Sequence, residues 1–279
     1  MDKLLLAPLE EAEFTVVDLE TTGFFPHDGE KIIEIGALRL KGSEEVGRFT
    51  NLVNPNKKIP RDVMRITHID QSMVETAPTI DKLIGPFMDF AKDSILVFHN
   101  APFDLSFLVP VMREYSPYVS FNVLDTLMLA RRYFTLEFPS KALGNIATSL
   151  NIKIENAHRA MDDVEATSKI LLHFITDLKR RKKIKTAGDL LKLQGGSVPF
   201  PPAYSKKDLK PLIKNANRYE TPLKIEYRTE AGDLNIRILE PPIKIYTRGS
   251  HALMKGYCRE QGGEQKFRID GILKRPELA

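Results

Sequence analysis

The chain has 279 residues, 42% hydrophobic and 28% charged, which fits one large or two modest folded domains. No apolar run approaches the ~20 residues of a membrane-spanning helix, and the single cysteine, Cys258, excludes an internal disulfide. The first residues, a very short apolar stretch followed by acids, make a poor signal peptide. We therefore expect a cytoplasmic protein with no membrane partner.

Charge is distributed unevenly along the chain. Residues 1–178 carry 18 Lys and Arg against 26 Asp and Glu, whereas residues 179–279 carry 23 against 11. The net charges of the two parts are therefore −8 and +12, although the whole chain has only +4. A strongly basic part favours contact with a polyanion such as nucleic acid. Two ordinary soluble domains of different charge are the alternative.

The first predicted elements are strands. Phe14–Glu20, Ile32–Leu40 and Gly47–Val53 follow one another with short connections, which indicates an antiparallel meander. Short buried strands at 94–98 and 121–124 then alternate with predicted helices at 62–69, 79–91, 102–115, 126–133, 140–150 and 160–178. Pro110 is expected to kink its helix or end it early. This order predicts an α/β domain with a mixed sheet, covering residues 1–178.

The remainder of the chain has a different character. Residues 179–205 join a basic run to the segment GGSVPFPP, so we predict a linker with a short helix at 186–194. Residues 206–279 are predicted to form a second domain, with a helix at 210–217 and strands at 223–229, 234–239, 243–247, 252–259 and 265–269. Turns are predicted at 231–233, 248–250 and 261–263. Five short strands with tight turns predict a small β-barrel or sheet.

Two acids in the first predicted strand indicate a metal site. Asp18 and Glu20 are two residues apart, so both carboxylates lie on the same face of the strand. Like charges in an apolar strand repel each other and lose solvation unless a positive charge lies between them. A divalent metal ion supplies that charge. A salt-bridged pair is the alternative for these two acids alone.

Later segments offer the remaining groups. Asp104 is predicted in the first turn of a helix that follows a buried strand, and His158 precedes a helix whose first turn contains Asp162 and Asp163. Four carboxylates balance two Mg²⁺ or Mn²⁺ ions, hard cations that oxygen ligands select over zinc. Two such ions can bridge a phosphodiester, and a histidine is suited to act as general base. The pattern therefore predicts phosphodiester hydrolysis.

These residues resemble the three motifs of the DEDDh exonucleases, most closely the proofreading epsilon-subunit (DnaQ-like) branch. The motifs are DLETTG at 18–23, HNAPFD at 99–104, and His158 with Asp163 five positions later; IEIGA at 33–37 and VLDT at 123–126 are also similar. The resemblance covers about residues 12–178. It implies an RNase H-like fold, a mixed sheet flanked by helices, and 3′→5′ release of nucleoside 5′-monophosphates with two divalent ions.

The resemblance also implies roles for single residues. Its spacing selects Asp163 over Asp162 as the last metal ligand, beside Asp18, Glu20 and Asp104, with His158 as the general base. The substrate contacts that it implies are Thr21, Thr22, Gly23, Phe24, His99, Asn100 and Phe103. Loop shaping is the alternative for His99 and Asn100. Asp125 opens a predicted helix and is interpreted as a cap rather than a ligand.

The basic C-terminal part resembles a WYL domain. The similar segments are IEY at 225–227, Arg237 with Pro241, GYCR at 256–259 and FRID at 267–270, whereas Ala252–Met254 stands where the name-giving triplet is usual. The resemblance implies an SH3-like β-barrel that binds nucleic acid or a nucleotide. Candidate phosphate contacts are Arg237, Arg259 and Arg268. Solvent-facing strand arginines are the alternative for each.

Two functions are compatible with these patterns. The first is a metal-dependent 3′→5′ exonuclease on single-stranded DNA, with a basic accessory barrel that holds the strand and a polymerase or repair partner. The second is a nucleic-acid- or nucleotide-sensing regulatory protein with weak or no nuclease activity. The complete set of four acids and one histidine favours the enzyme, because a sensor does not need all five.

Overall fold

The chain divides into two compact units. The computed structural model describes residues 3–202, 204, 206–229, 233–248 and 251–279. One unit comprises Met1–Tyr115 with Val119–Pro199, and the other Ser116–Tyr118 with Phe200–Ala279. Each unit contains one five-stranded sheet. Among the described residues, every helix is too short or too polar to cross a bilayer.

The first unit contains five strands and nine helices in its described residues. The strands are β1 (Glu13–Thr21), β2 (Ile32–Lys41), β3 (Glu44–Leu52), β4 (Ile95–Phe98) and β5 (Val123–Asp125). The helices are α1 (Lys3–Leu6), α2 (Arg61–Thr67), α3 (Gln71–Glu75), α4 (Ile80–Ala91), α5 (Ala101–Tyr115), α6 (Thr126–Tyr133), α7 (Leu143–Ser149), α8 (Ala160–Lys182) and α9 (Ala187–Gln194). A 3₁₀ turn covers Pro26–Asp28.

The sheet of the first unit is mixed, which confirms the prediction. Its strand order is β3-β2-β1-β4-β5. β1, β2 and β3 form the predicted antiparallel meander, whereas β4 runs parallel to β1 and β5 runs parallel to β4. Because β1, β4 and β5 are parallel, their carboxyl ends lie at one edge of the sheet. Residues that end β1 and residues that follow β4 therefore come close together.

Helix α8 covers one face of this sheet and packs on β1 and β2. Phe14 and Val16 of β1 share a buried core with Val164 and Leu171 of the helix. The start of α8 lies directly on β2 at Gly36, where an added Cβ would be only 2.8 Å from the carbonyl carbon of Ala160. Glycine thus allows the helix start, and the loop before it, to approach the sheet closely.

Three elements differ from the sequence-based predictions. Helix α5 continues through Pro110 to Tyr115, so this proline does not end it early. Helix α3 was not predicted because five residues are too few to show a helical period. Within the predicted linker, α8 extends to Lys182 and α9 buries Leu190 in the core of the first unit. The structure therefore groups residues 179–199 with the first unit.

The second unit consists of helix α10 (Lys206–Arg218), an antiparallel sheet and a 3₁₀ turn at Ile269–Gly271. The strands are β6 (Leu223–Arg228), β7 (Leu234–Arg248), β8 (His251–Cys258), β9 (Gly263–Arg268) and β10 (Glu277–Leu278), in the order β10-β6-β7-β8-β9. In the described residues the sheet is open, because β9 and the two-residue β10 are its unpaired edges. The predicted SH3-like barrel is therefore not closed in this part of the chain.

The longest strand of the second unit corrects a further prediction. Residues 234–239 and 243–247 were expected to be separate strands, whereas β7 is continuous, with a register shift against β8 between Glu240 and Lys244. Pro241 and Pro242 lie in this irregular stretch, where the ladder does not need their missing N–H groups. Of the turns predicted at 231–233 and 248–250, residues 231, 232, 249 and 250 lie outside the described ranges, whereas Arg248 is the last residue of β7.

Candidate active site

The end of β1 carries the first two acids of the site. Asp18 and Glu20 are half-buried and flank the buried Leu19, as the alternation of a strand requires. β1 is the central strand, and its partners across β2 are Gly36 for Asp18 and Glu34 for Glu20. The two carboxylates therefore lie on one face of the sheet, beside β2 and beyond Val16, the last β1 residue that pairs with β4.

Asp104 joins them from the next parallel strand. It lies in the first turn of α5, directly after β4, and is only 3% exposed. Its Oδ1 accepts a hydrogen bond from the backbone N–H of Leu19 at 3.2 Å. This bond attaches the start of α5 to the strand residue between Asp18 and Glu20. The predicted approach of Asp104 to β1 is thereby observed.

The third segment brings a histidine and a further acid. Potential ligand atoms of Glu20, His158 and Asp163 all lie within 4.8 Å of one another. Asp163 is buried in the first turn of α8 and accepts a hydrogen bond from the backbone N–H of His158 at 3.3 Å. His158 is exposed and has a left-handed backbone, with φ of 65°. The histidine ring is therefore open to solvent beside two acids.

Burial and mutual repulsion perturb these carboxylates. Burial raises the pKa of Asp18 well above its ordinary value, and the neighbouring Asp104 adds the next largest effect. Burial likewise raises the pKa of Asp104 and of Asp163, although His158 opposes the latter shift. The pKa of Glu20 rises to about 8 because of burial, Asp163 and Glu34.

The donor set fits divalent cations. The four acids supply carboxylate oxygens, the ligands that hard divalent ions prefer. Their raised pKa values show that the surrounding protein does not compensate their charges, so a bound cation would relieve both repulsion and desolvation. The residues that would hold such ions are Asp18, Glu20, Asp104 and Asp163.

Two other acids serve structure. A carboxylate oxygen of Asp162 accepts from the backbone N–H of Asn156 at 3.2 Å, and Asp162 is not in the group with Glu20. Asp125 caps α6 by accepting from the N–H of Leu127 at 2.8 Å, which confirms the predicted cap. It also accepts from the N–H of Asn100 at 3.0 Å, and so connects the ends of β4 and β5.

The turn after β1 presents two aromatic side chains to solvent, Phe24 and Phe25. The Thr21 hydroxyl donates to the carbonyl of Gly23 at 2.7 Å, and the buried Thr22 hydroxyl accepts from the N–H of Lys31 at 2.9 Å. Thr22 also bonds the carboxylate of Glu30. Both threonine hydroxyls thus hold the turn. Phe24, by contrast, is 77% exposed and available for contact with a ligand.

The loop before Asp104 is held from inside the protein. The ring nitrogens of His99 bond Oγ1 of Thr126 at 2.8 Å and the carbonyl of Lys141 at 2.9 Å, and burial lowers its pKa. Asn100 has a left-handed φ of 79°. Phe103 is half-buried, with its ring 5.4 Å from that of Phe107. These contacts favour the loop-shaping interpretation of His99 and Asn100.

The three predicted phosphate-binding arginines all belong to the second unit. Arg259 is paired with Glu240, and Arg268 with Asp270 at 2.5 Å. Arg237 donates to the carbonyl of Ile236 at 3.1 Å. Two of the three guanidinium groups are therefore already engaged by carboxylates of the same unit.

Sequence reasoning assigned no role to Glu34 and Arg159. Glu34 is 3% exposed, and its carboxylate accepts from Arg159 Nη2 at 2.7 Å, from Nε at 3.1 Å and from the Ala160 N–H at 2.9 Å. The pair connects β2 to the residue directly after His158. The available signal was an acid in the otherwise apolar strand IIEIGAL, because a buried carboxylate requires a partner.

Comparisons with known proteins agree with this geometry. Residues 15–171 match the family model "RNase_T: Exonuclease". A DNA polymerase III PolC-type of Clostridium perfringens is 40% identical over 172 residues, which cover 62% of this chain but only 12% of that relative. The chain thus spans a small part of the length of this relative.

Two solved structures share the fold. The nuclease domain of 3'hExo, a DEDDh family member bound to rAMP, has a TM-score of 0.53 and 19% identity, covering 61% of this chain and 95% of that chain. E. coli Exonuclease I in complex with a dT13 oligonucleotide has a TM-score of 0.56 and 15% identity, covering 96% of this chain and 65% of that chain. Because the family model spans more than half of the residues, this chain belongs to the RNase_T exonuclease family, with a DEDDh-type exonuclease domain in its first unit.

Proposed function

We propose that this protein is a metal-dependent 3′→5′ exonuclease that releases nucleoside 5′-monophosphates from single-stranded DNA. The observation that carries the proposal is the convergence of four uncompensated carboxylates and one exposed histidine at one edge of the sheet. Family membership supports nuclease chemistry. The direction and the single-strand preference are supported by the motif resemblance and by the oligonucleotide bound to the similar Exonuclease I.

We assign the metal ions to the four acids. Asp18, Glu20, Asp104 and Asp163 would hold two Mg²⁺ or Mn²⁺ ions, whose charge matches that of the four carboxylates. When bound, such ions stabilise the negative charge that develops during attack on a phosphodiester. The hydrogen bond from Leu19 to Asp104 and that from His158 to Asp163 orient two of these carboxylates before any ligand arrives.

His158 and Phe24 act on the substrate side. His158 is exposed beside Glu20 and Asp163, so it can accept the proton of the attacking water and pass it to solvent. Phe24 is the more exposed aromatic of the turn that follows the two metal-binding acids of β1, a position suited to stacking on the terminal base. The proposed substrate contacts also include Gly23, in the same turn, and Phe103, in the first turn of α5.

The cellular setting belongs to the proposal as well. The similarity to a PolC-type polymerase supports a place in DNA replication or repair, with a polymerase or repair partner. The assignment to the epsilon-subunit branch and to the cytoplasm rests on the sequence motifs and composition described above.

We assign nucleic-acid binding to the second unit. Its basic composition and its WYL resemblance support this role, as does a fold match to Exonuclease I that covers 96% of the chain. The regulatory alternative, a nucleotide sensor with weak nuclease activity, draws on the same unit. Turnover of a nucleic-acid substrate by the purified protein would distinguish the exonuclease from the sensor.

The decisive experiment compares single-stranded DNA and RNA of one sequence, each labelled at the 3′ end or the 5′ end. We expect Mg²⁺- or Mn²⁺-dependent release of 5′-mononucleotides from the 3′ end and none in EDTA. Loss of the 5′ label first would refute the direction. Binding without any turnover in either metal would refute the enzyme and support the sensor.

A pair of neighbouring aspartates gives the matched control. Asp163→Asn preserves the size and the acceptor for the His158 N–H but removes a charge from the site. We expect a loss of kcat of more than about a hundredfold. Asp162→Asn removes one charge from the same helical turn. Because Asp162 is not in the group with Glu20 and His158, this variant should keep nearly full activity. Equal activity of the two variants would refute the assignment of Asp163.

A further inference from the structure

The second unit exposes a row of cations on α10. Lys207, Lys210, Lys214 and Arg218 are all exposed, at spacings of three or four residues. Residues so spaced lie on the same side of a helix. None of the four forms an ion pair with a carboxylate in the described part of the chain. We call these four residues the α10 basic row.

The other face of the helix is already occupied. Leu209, Ile213 and Ala216 are buried in the core of the second unit, and α10 packs on β7. Asn217 further attaches the helix to β7, by donating to the carbonyl of Ile243 at 2.8 Å and accepting from its N–H at 2.7 Å. The basic row is therefore displayed on a helix that is fixed to its own sheet.

This arrangement distinguishes the row from other basic amphipathic helices. A helix that lies on a membrane, or in the groove of a partner protein, uses its apolar face for binding. In α10 that face is buried within the protein, so the surface that remains for contact is polar and mainly basic, with Asp208 as its exposed acid. A surface that offers charge without apolar area suits a polyanion.

The length of the row fits a nucleic-acid strand. Lys207 and Arg218 lie eleven residues apart, which is roughly 16 Å along the axis at about 1.5 Å per residue. A stacked strand carries a phosphate about every 3.4 Å, so roughly five phosphates pass along this distance. Tyr219, at the end of the row, is 63% exposed and lies under the Arg218 guanidinium, 5.4 Å from its ring centroid.

We propose that the α10 basic row binds the phosphate backbone of single-stranded DNA, in a sequence-independent manner. The proposal deepens the proposed function and rests on it for the choice of DNA as the polyanion. In this proposal the main phosphate contacts of the second unit are the cations of the α10 basic row, and not the strand arginines that the sequence indicated. Arg259 and Arg268 are already held by Glu240 and Asp270.

The test is binding of a 5′-fluorescent oligo-dT to the full chain in EDTA, where cleavage does not interfere. The variant combines Lys207→Gln, Lys210→Gln and Lys214→Gln, which retain high helix propensity. The matched control removes the same charge from three exposed lysines of the first unit, with Lys41→Gln, Lys92→Gln and Lys169→Gln. Anisotropy is measured from 50 to 200 mM salt, and thermal melting verifies that both variants fold.

We expect the α10 variant to lose about tenfold or more in affinity at low salt. Its slope of log affinity against log salt should fall by about 2, since each single-strand phosphate contact contributes about 0.7. The control should stay within about twofold of the wild type. RNA of the same sequence should show the same loss, because phosphate contacts do not distinguish the sugars.

Three results would overturn the proposal. They are an unchanged affinity of the α10 variant, an equal loss in the control, and a loss of binding to phosphatidylserine vesicles with DNA binding intact. The binding readout is independent of turnover. A protein that binds through α10 but never cleaves would refute only the enzyme, whereas cleavage with unchanged binding would refute only the α10 row.

Discussion

Both units gather like charges, but they do so in opposite environments. In the first unit, acids lie at the half-buried end of a central strand, where burial raises the pKa of Asp18 and brings that of Glu20 to about 8. In the second, the cations of α10 are exposed and surrounded by water. Buried like charges require a few closely fitted counter-ions, whereas exposed ones suit a long, loosely held polyanion. This difference fits the division proposed above, with chemistry in the first unit and substrate retention in the second.

The acid site itself contains an internal contrast. Glu34 is as buried as Asp104, yet the protein supplies its counter-charge through Arg159. Among the described residues, none of the other four acids forms an ion pair with a lysine or arginine, and repulsion among them contributes to their raised pKa values. The chain therefore neutralises one carboxylate with its own cation and leaves four for external cations. His158 lies beside two of these four acids, Glu20 and Asp163.

The largest effect is expected from His158→Ala. Removing the proton acceptor should lower kcat by about 10²–10⁴-fold, the usual contribution of a general base. Manganese binding, measured by calorimetry, should persist because the four carboxylates are unchanged. His173→Ala, which removes an exposed histidine of α8, the helix that His158 precedes, is the control and should keep normal kinetics. A loss of metal binding would make His158 a ligand instead.

A smaller effect is expected when the internal pair is broken. Glu34→Gln should lower kcat by roughly 10–100-fold with little change in KM, because the Arg159 pair positions the loop that carries His158. Arg159→Lys keeps the positive charge but loses the bidentate contact. Its kcat should therefore lie between that of the wild type and that of Glu34→Gln. Glu34 and Arg159 are thus positioning residues.

The control for this pair is an ion pair between β2 and β1. Arg39 of β2 bonds Glu13 of β1 at 2.7 Å, at the opposite end from the site. Glu13→Gln should alter melting temperature at most and leave kcat unchanged. If Glu34→Gln lowered only the melting temperature, the pair would stabilise the fold without positioning His158, and the assignment of a positioning role would be wrong.

The smallest effect concerns stability without metal. A carboxylate with a raised folded-state pKa stays protonated in the folded protein after the unfolded chain has ionised. Stability of the metal-free protein should therefore be full below the ordinary carboxylate pKa and decline as pH rises towards about 8. We expect melting temperature in EDTA to fall by several degrees between pH 5.5 and 8.5.

Manganese should reverse this decline, since a cation favours the ionised carboxylates. The stabilisation by Mn²⁺, read by differential scanning fluorimetry, should grow with pH. Glu20→Gln removes one shifted group and should flatten the profile in EDTA. A metal-free profile that rises between pH 6 and 8, or one that Glu20→Gln leaves unchanged, would contradict the assignment of repulsion to this site.

Much of the first unit was predictable because its signals are local. The apolar runs of β1, β2 and β4 and the helical period of α8 appear within short windows of sequence. In the second unit, residues 234–239 and 243–247 were predicted as separate strands, whereas β7 is continuous, with a register shift against β8. A proline in the sequence therefore does not always mark the end of an element. β7 continues because its pairing with β8 is irregular at the prolines. Helix α5 likewise continues through Pro110.

The sequence by itself determined that Asp18 and Glu20 share a strand face, and that His158 lies close to Asp163. The first fact follows from the two-residue period of a strand, and the second from the short stretch of chain, five positions, between the two residues. Only the tertiary structure decided that Asp104 bonds Leu19 and that Glu34 captures Arg159. It likewise decided that Arg259 and Arg268 are paired while the α10 lysines are not. These contacts depend on which segments become neighbours in the folded chain, and no local period carries that information.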